Sequence, residues 1–196
     1  VLTFAAAPGT GIDYEVHRLF SPSEKRRALV AAARQSYPHI FKEIRDESLV
    51  SGNWLKDGSF EIWTSTSALT NWTTTTSTLT QTSTAYYFKH GSYSAKLSTA
   101  AGNIKQSVTN YDDLKRLAGK NVTFTVQGWS DTASCLRIAI YDGTTYTYSS
   151  YHAGDSAWTK NTDPLEVQAT IKTNPTLIQF IIYHDVAAGV SYVDDA

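Results

Sequence analysis

Few residues in this chain are placed to do chemistry. Adjacent acids occur twice, at Asp112-Asp113 and Asp194-Asp195. A glycosidase needs two carboxyl groups presented across a cleft, about 5–9 Å apart. Sequence neighbours are poorly suited to that. The first pair reads as a helix start, the second as a strand end or a cation ligand. The single cysteine, Cys135, stands between Ser134 and Leu136 at a strand start and reads as a small core residue. Alone it can form neither an intrachain disulfide nor a thiolate zinc cluster. The five histidines are scattered without metal-ligand spacing. There is no Gly-x-Ser-x-Gly elbow, His-Glu-x-x-His run or phosphate-cradling glycine loop. No nucleophile stands beside a base, so the chain reads as a binding or assembly protein and not as an enzyme.

Recognition chemistry is better represented. Sugars present apolar C–H faces on which Trp and Tyr rings stack, while amides and charged groups bond the hydroxyls. Strand alternation in 121–129 puts Val122, Phe124 and Val126 on one face and Thr123, Thr125, Gln127 and Trp129 on the other. By the same period Ile178, Phe180 and Ile182 point inward and leave Gln179 and Tyr183 outside. Ile138 and Ile140 likewise leave Arg137 and Tyr141 outside. Trp129, Tyr141 and Tyr183 with Gln127, Arg137 and Gln179 would form a sugar cleft. The same alternation also fits a sheet face covered by loops or by another subunit. The tract from Tyr146 to Tyr151 is either a second aromatic surface or ordinary strand grammar, and Trp63, Trp72 and Trp158 read as packing residues.

These side chains need strands to carry them. From Ser51 onward short alternating or apolar runs recur between turn signals. Strands are predicted near 59–63, 85–89, 94–98, 104–108, 121–129, 135–141, 145–150, 165–172, 177–183 and 190–194. The Thr- and Ser-rich stretch 64–84 is expected to be ordered in part, because Trp72 is costly to leave in water. Asp112 to Gly119 reads as one helical turn closed by the glycine. Many short strands without long helices predict two packed antiparallel sheets over 51–196. Residues 1–50 form a different unit, a connector with short strands at 1–4 and 14–19 and one helix over 22–35. Ser21, Pro22 and Glu24 compose its start, and Pro38 is expected to stop it. The face containing Leu29 could dock a neighbouring subunit or simply be solvated.

Composition limits the partners. The net charge is −1 and charged residues make up 18%, so no broad field attracts nucleic acid or anionic lipid. No apolar run approaches the ~18 residues of a membrane span, and no signal peptide opens the chain. Methionine is absent even at position 1, which implies a piece of something longer.

The motif order across 57–195 is distinctive: Asp57-Gly58-Ser59-Phe60-Glu61, Trp63, Trp72, His90 to Leu97, Ile104 to Val108, Gly119 to Phe124, Trp158, and Tyr192-Val193-Asp194-Asp195. This resembles the jelly-roll carbohydrate-binding modules of the galactose-binding-like superfamily, especially those appended to xylanases and glucanases. The resemblance implies a mainly β, antiparallel jelly-roll sandwich that binds a glycan. It also implies one structural calcium ion held by Glu61 and Asp194, with Ser59, Lys89 and Gly91 as carbonyl donors. Calcium takes about six to eight hard oxygens, so two carboxylates plus carbonyls are apt ligands. The other reading makes Glu61 and Asp194 ordinary strand-edge acids. Gly11 to Ser21, Lys25 to Ala28 and Ser51 to Leu55 are similar to a region of tailed-phage virion proteins that precedes such a jelly roll. That implies a virion location, neighbouring virion subunits as partners and a homo-oligomer. A secreted accessory module of a polysaccharide-degrading enzyme is the other setting.

Overall fold

The computed structural model describes residues 22–40 and 53–196, with side chains in the first stretch described for 23–32. The chain divides into two units, Val1–Gly52 and Asn53–Ala196. In the first, helix α1 spans Pro22–Ile40, with Glu24 in the first turn where the helix dipole favours an anion. It is longer than the expected 22–35 and continues through Pro38. Pro38 lacks the N–H that would bond the carbonyl of residue 34, and the helix ends two residues later. Side chains 23–32 are all exposed. The cap expected from Ser21 and the strands expected at 1–4 and 14–19 lie outside the described residues.

The second unit is built from strands β1 (Trp63–Ser65), β2 (Ala68–Leu69), β3 (Thr73–Thr75), β4 (Thr78–Thr82), β5 (Ser94–Ser98), β6 (Gly102–Val108), β7 (Asn121–Ser130), β8 (Leu136–Tyr141), β9 (Tyr146–Tyr148), β10 (Ala157–Trp158), β11 (Leu165–Thr170), β12 (Ile178–His184) and β13 (Val190–Asp194). Helix α2 (Tyr111–Leu117) joins β6 to β7. Asn110 caps it, and Leu114 and Leu117 face the core. Gly119 follows at φ +69°, as the helix-stop reading expects.

These strands form an antiparallel jelly-roll sandwich. One sheet has five strands in the order β3-β6-β12-β8-β9. The other has six, in the order β10-β7-β13-β5-β4, with β11 also paired to β7. Alternation decides what lies between them. Phe124 and Val126 of β7, Leu97 of β5 and Val193 of β13 face Ile138 and Ile140 of β8, Ile178, Phe180 and Ile182 of β12, and Ile104 of β6. Phe124 and Phe180 meet edge to face across the gap, with ring centroids 5.4 Å apart. The expected core set is therefore buried, with Val122 packed at its margin.

Local chemistry overrode the pattern in two places. Of the strand expected at 59–63 only Trp63 is in a strand, as the first residue of β1. The Asp57 carboxylate instead accepts N–H bonds from Glu61 and Ile62 at 2.8 and 3.0 Å, holding a turn with Asp57 and Phe60 at positive φ. Phe60 is thereby fully buried against Trp72, 5.0 Å between centroids. Residues 85–87 make a 3₁₀ turn instead of a strand. The Thr- and Ser-rich tract is ordered, as expected in part from Trp72, which is buried; it carries β1 to β4, where threonine's β-branch suits a half-buried pleat.

If the Phe124–Phe180 contact joins the sheets, Phe124→Ala lowers the unfolding free energy by about 3–5 kcal/mol in urea titration. A loss below about 1 kcal/mol would show that the ring is not in a close-packed core.

Candidate functional site

The register of the five-stranded sheet places its outward residues in rows. Ser107, Gln179, Tyr141 and Tyr146 stand side by side across β6, β12, β8 and β9. The next row is Thr73, Lys105, Ile181, Ala139 and Tyr148. The third is Thr75, Asn103, Tyr183 and Arg137. Directly opposed residues share a face, so Tyr146 and Tyr148 join the surface predicted from β8 and β12. Tyr141 stacks on Tyr146 at 4.2 Å, Tyr146 on Tyr148 at 5.9 Å, and Tyr148 leans on Tyr183 at 5.8 Å.

Arg137 is set among these rings. Its guanidinium carbon lies 4.3 Å from the Tyr148 centroid, 4.7 Å from Tyr151 and 5.5 Å from Tyr183, distances at which ring faces attract a cation. Asp185 holds it from the side. Its Oδ2 is 2.8 Å from Arg137 Nε, an ion pair without the alignment of a hydrogen bond, and accepts from Tyr151 O–H at 2.8 Å. Burial, then the neighbouring Tyr148 and Tyr146, push the Tyr183 phenol up to about 12, so it stays a neutral donor. Gln179 donates to Ser107 at 3.0 Å. Beneath the rings Ile181 and Ala139 are buried and form an apolar floor. Beside Tyr151 opens a cleft of about 430 Å³ bordered by His152, Trp158, Asp163 and Glu166.

Tyr141, Tyr183, Arg137 and Gln179 are thus brought together, whereas Trp129 and Gln127 are not. The latter two lie on the outer face of the other sheet, opposite Tyr192 and Asp194. Both are buried. The 3₁₀ turn closes over them: Tyr87 stacks on Tyr192 at 4.1 Å and meets Trp129 edge-on at 5.4 Å. Gln127 Oε1 accepts from Thr159 at 2.8 Å. The single cleft predicted from alternation is corrected to an open tyrosine face on one sheet and a sealed aromatic layer on the other. Tyr146, Tyr148 and Tyr151 complete the open face, and their alternating tract was the signal for it.

The predicted cation ligands converge at one loop. Asp194 is fully buried and its Oδ2 accepts from the backbone N–H of Lys89 and His90, at 2.7 and 2.9 Å. Glu61 Oε1 accepts from Ser92 and Tyr93 at 2.8 and 2.9 Å. Gly91 lies between, at φ +70°, where a Cβ would overlap the Glu61 carboxylate. Ser59 belongs to the adjoining turn, whose Gly58 carbonyl accepts from Ala196 at 2.8 Å. Among the described residues no cationic group neutralises Asp194. The Lys89 ammonium donates to the Thr159 carbonyl, and His90 pairs with Asp195. Burial raises the Asp194 carboxyl to about 6 despite the bonds from His90 and Lys89. A buried anion lacking a counter-charge, beside a second carboxylate, fits a hard cation. No cluster of three or more His, Cys, Asp or Glu exists among the described residues, so main-chain and water oxygens would have to complete the shell.

A second polar cluster lies inside the sandwich. Cys135 Sγ is 3.2 Å from His184 Nδ1, which is 3.1 Å from Ser191 Oγ. All three are sealed from solvent, and burial lowers the His184 pKa, keeping the ring neutral. No substrate can reach this arrangement.

No family model matches the chain, and no curated protein matches it. Its fold is that of carbohydrate-binding modules. The solved structure of a family 16 carbohydrate-binding module aligns at TM-score 0.53 and 14% identity, over 72% of this chain and 96% of that one. TmCBM61 in complex with β-1,4-galactotriose aligns at 0.48 and 17% identity, over 73% and 94%. The enzymatically active domain of bacteriophage CBA120 tailspike protein 4 aligns at 0.44 and 13% identity, but this chain covers 19% of it. Among the described residues no helix is long and apolar enough to cross a membrane.

The raised Asp194 pKa sets a sign for stability. The folded state holds a proton that the unfolded chain has released, so without divalent cations stability falls as pH rises from about 4 to about 6. Asp194→Asn should flatten that part of the midpoint-against-pH curve measured in chelator. An unchanged slope would show that Asp194 does not titrate there.

Proposed function

We propose that residues 53–196 are a non-catalytic glycan-binding module whose sugar platform is the outer face of the five-stranded sheet. The observation that carries this is the tyrosine row Tyr141-Tyr146-Tyr148-Tyr183 around Arg137, with Gln179, Ser107 and Asn103 in the same rows. The rings stack or tilt against one another, and the exposed parts of Tyr146 and Tyr148 offer apolar area to sugars, while the amides and guanidinium offer directional bonds to hydroxyls. Likeness to a carbohydrate-binding module supports the reading at the level of fold. Catalysis lacks support: the carboxylate nearest the platform, Asp185, is tied to Arg137 and Tyr151.

We further propose a structural calcium ion held by Glu61 and Asp194, with Ser59, Lys89 and Gly91 supplying carbonyls. When bound it would supply charge to the buried Asp194 and link the turn before β1 to the end of β13. It would take no part in sugar recognition.

A second reading makes the module a virion component docked through residues 1–52 on neighbouring subunits or further copies. The exposure of side chains 23–32, Leu29 included at 71%, favours it, because an apolar side chain left open on a helix can serve a partner. Both readings place the module outside the cell, on a particle or secreted.

Tyr148→Ala and Tyr183→Ala should each weaken binding to an array-selected oligosaccharide about tenfold or more in calorimetry while circular dichroism stays unchanged. Affinity indifferent to both would remove the platform. Millimolar calcium should raise the melting temperature by several degrees. Glu61→Gln and Asp194→Asn should abolish that rise, and no rise in the parent protein would exclude the ion.

A further inference from the structure

We propose that the glycan bound on the five-stranded sheet is acidic, its carboxylate or sulfate engaged by Lys105; this rests on the reading of that face as a sugar platform. Lys105 sits in the middle row, paired with Ile181 on one side and Thr73 on the other. The row continues through Ala139 to Tyr148. Three strand spacings separate lysine from tyrosine, about 14 Å. Between them Ile181, 2% exposed, and Ala139, 0%, are covered by the side chains around them. An aromatic row and an ammonium on one sheet face thus stand about the length of two or three sugar rings apart.

The charges on this face do not cancel. Among the described residues Lys105 has no ion-pair partner. Arg137 is matched by Asp185, which leaves the ammonium as the surplus. The next acid, Asp142, lies at the β8–β9 turn. Bonds from the backbone of Thr145 and Thr144 hold its pKa low, and Lys172 stands beside it. So a chain of net charge −1 carries an unmatched positive charge on its aromatic face. Neutral sugars gain little from a full charge, because their hydroxyls are served equally well by the amides already present. A carboxylate gains a charge-assisted bond, roughly twice as strong as a neutral one. Lysine suits this task as a point charge that follows the anion, where arginine would demand fork geometry.

The test is an array carrying neutral glycans beside their uronic-acid, sialic-acid and sulfated counterparts, probed with the full chain and with Lys105→Gln. Lys96→Gln serves as a control, since it removes the same charge from the sealed sheet, where Lys96 lies 5.9 Å from the Tyr192 ring. The expected result is binding concentrated on acidic members and a preference over the neutral partner of about tenfold. That preference should be lost in Lys105→Gln, kept in Lys96→Gln and reduced by raising salt from 0.05 to 0.5 M, about the range over which screening becomes strong. Binding confined to neutral glycans, or a preference that survives Lys105→Gln, overturns the acidic assignment and leaves the platform standing. Binding to no glycan of either kind overturns both.

Discussion

The apposition of β7 and β12 determines everything else in this molecule. Once Phe124 and Phe180 meet between the sheets, a strict period of two decides the direction of every other side chain on both strands. Trp129 is sent to the far side of one sheet, and Tyr183 to the far side of the other. A one-residue slip of β12 against β8 would bury Tyr183 and Gln179 and expose Phe180 and Ile182. The apolar cost of that exchange fixes the register, and the register assembles the tyrosine face.

The two outer faces then diverge because of what crosses them. Over the six-stranded sheet the chain returns between β4 and β5, laying Tyr87 on Tyr192 and anchoring the loop through Lys89 and His90 on Asp194. Trp158 reinforces it by donating to the Tyr86 carbonyl at 2.9 Å. That face becomes a second, smaller core. The five-stranded sheet keeps its aromatic rows half-exposed.

Period-two alternation made the inward residues legible: Val122, Phe124, Val126, Ile138, Ile140, Ile178, Phe180 and Ile182 all pack in or against the core. It also found four members of the tyrosine-bearing face. It could not tell which sheet a strand joins, because strand order depends on long-range pairing that leaves no local trace. Trp129 and Gln127 were therefore grouped with side chains on the opposite side of the molecule. Outward by alternation does not mean exposed, since a covering loop has no periodic signature. Asp57 illustrates a different failure. Its carboxylate reshapes residues 57–62 into a turn, and a side-chain cap of this kind overrides a short alternating run.

Shift mapping by nuclear magnetic resonance, during titration of the isotopically labelled chain with an array-selected oligosaccharide, addresses the central assignment most directly. Perturbed amides should cluster on 103–107, 137–141, 146–148 and 179–183, the four strands under the tyrosine rows. Perturbations centred on Trp129, Tyr192 and the 84–93 loop, with the five-stranded sheet silent, would contradict the account.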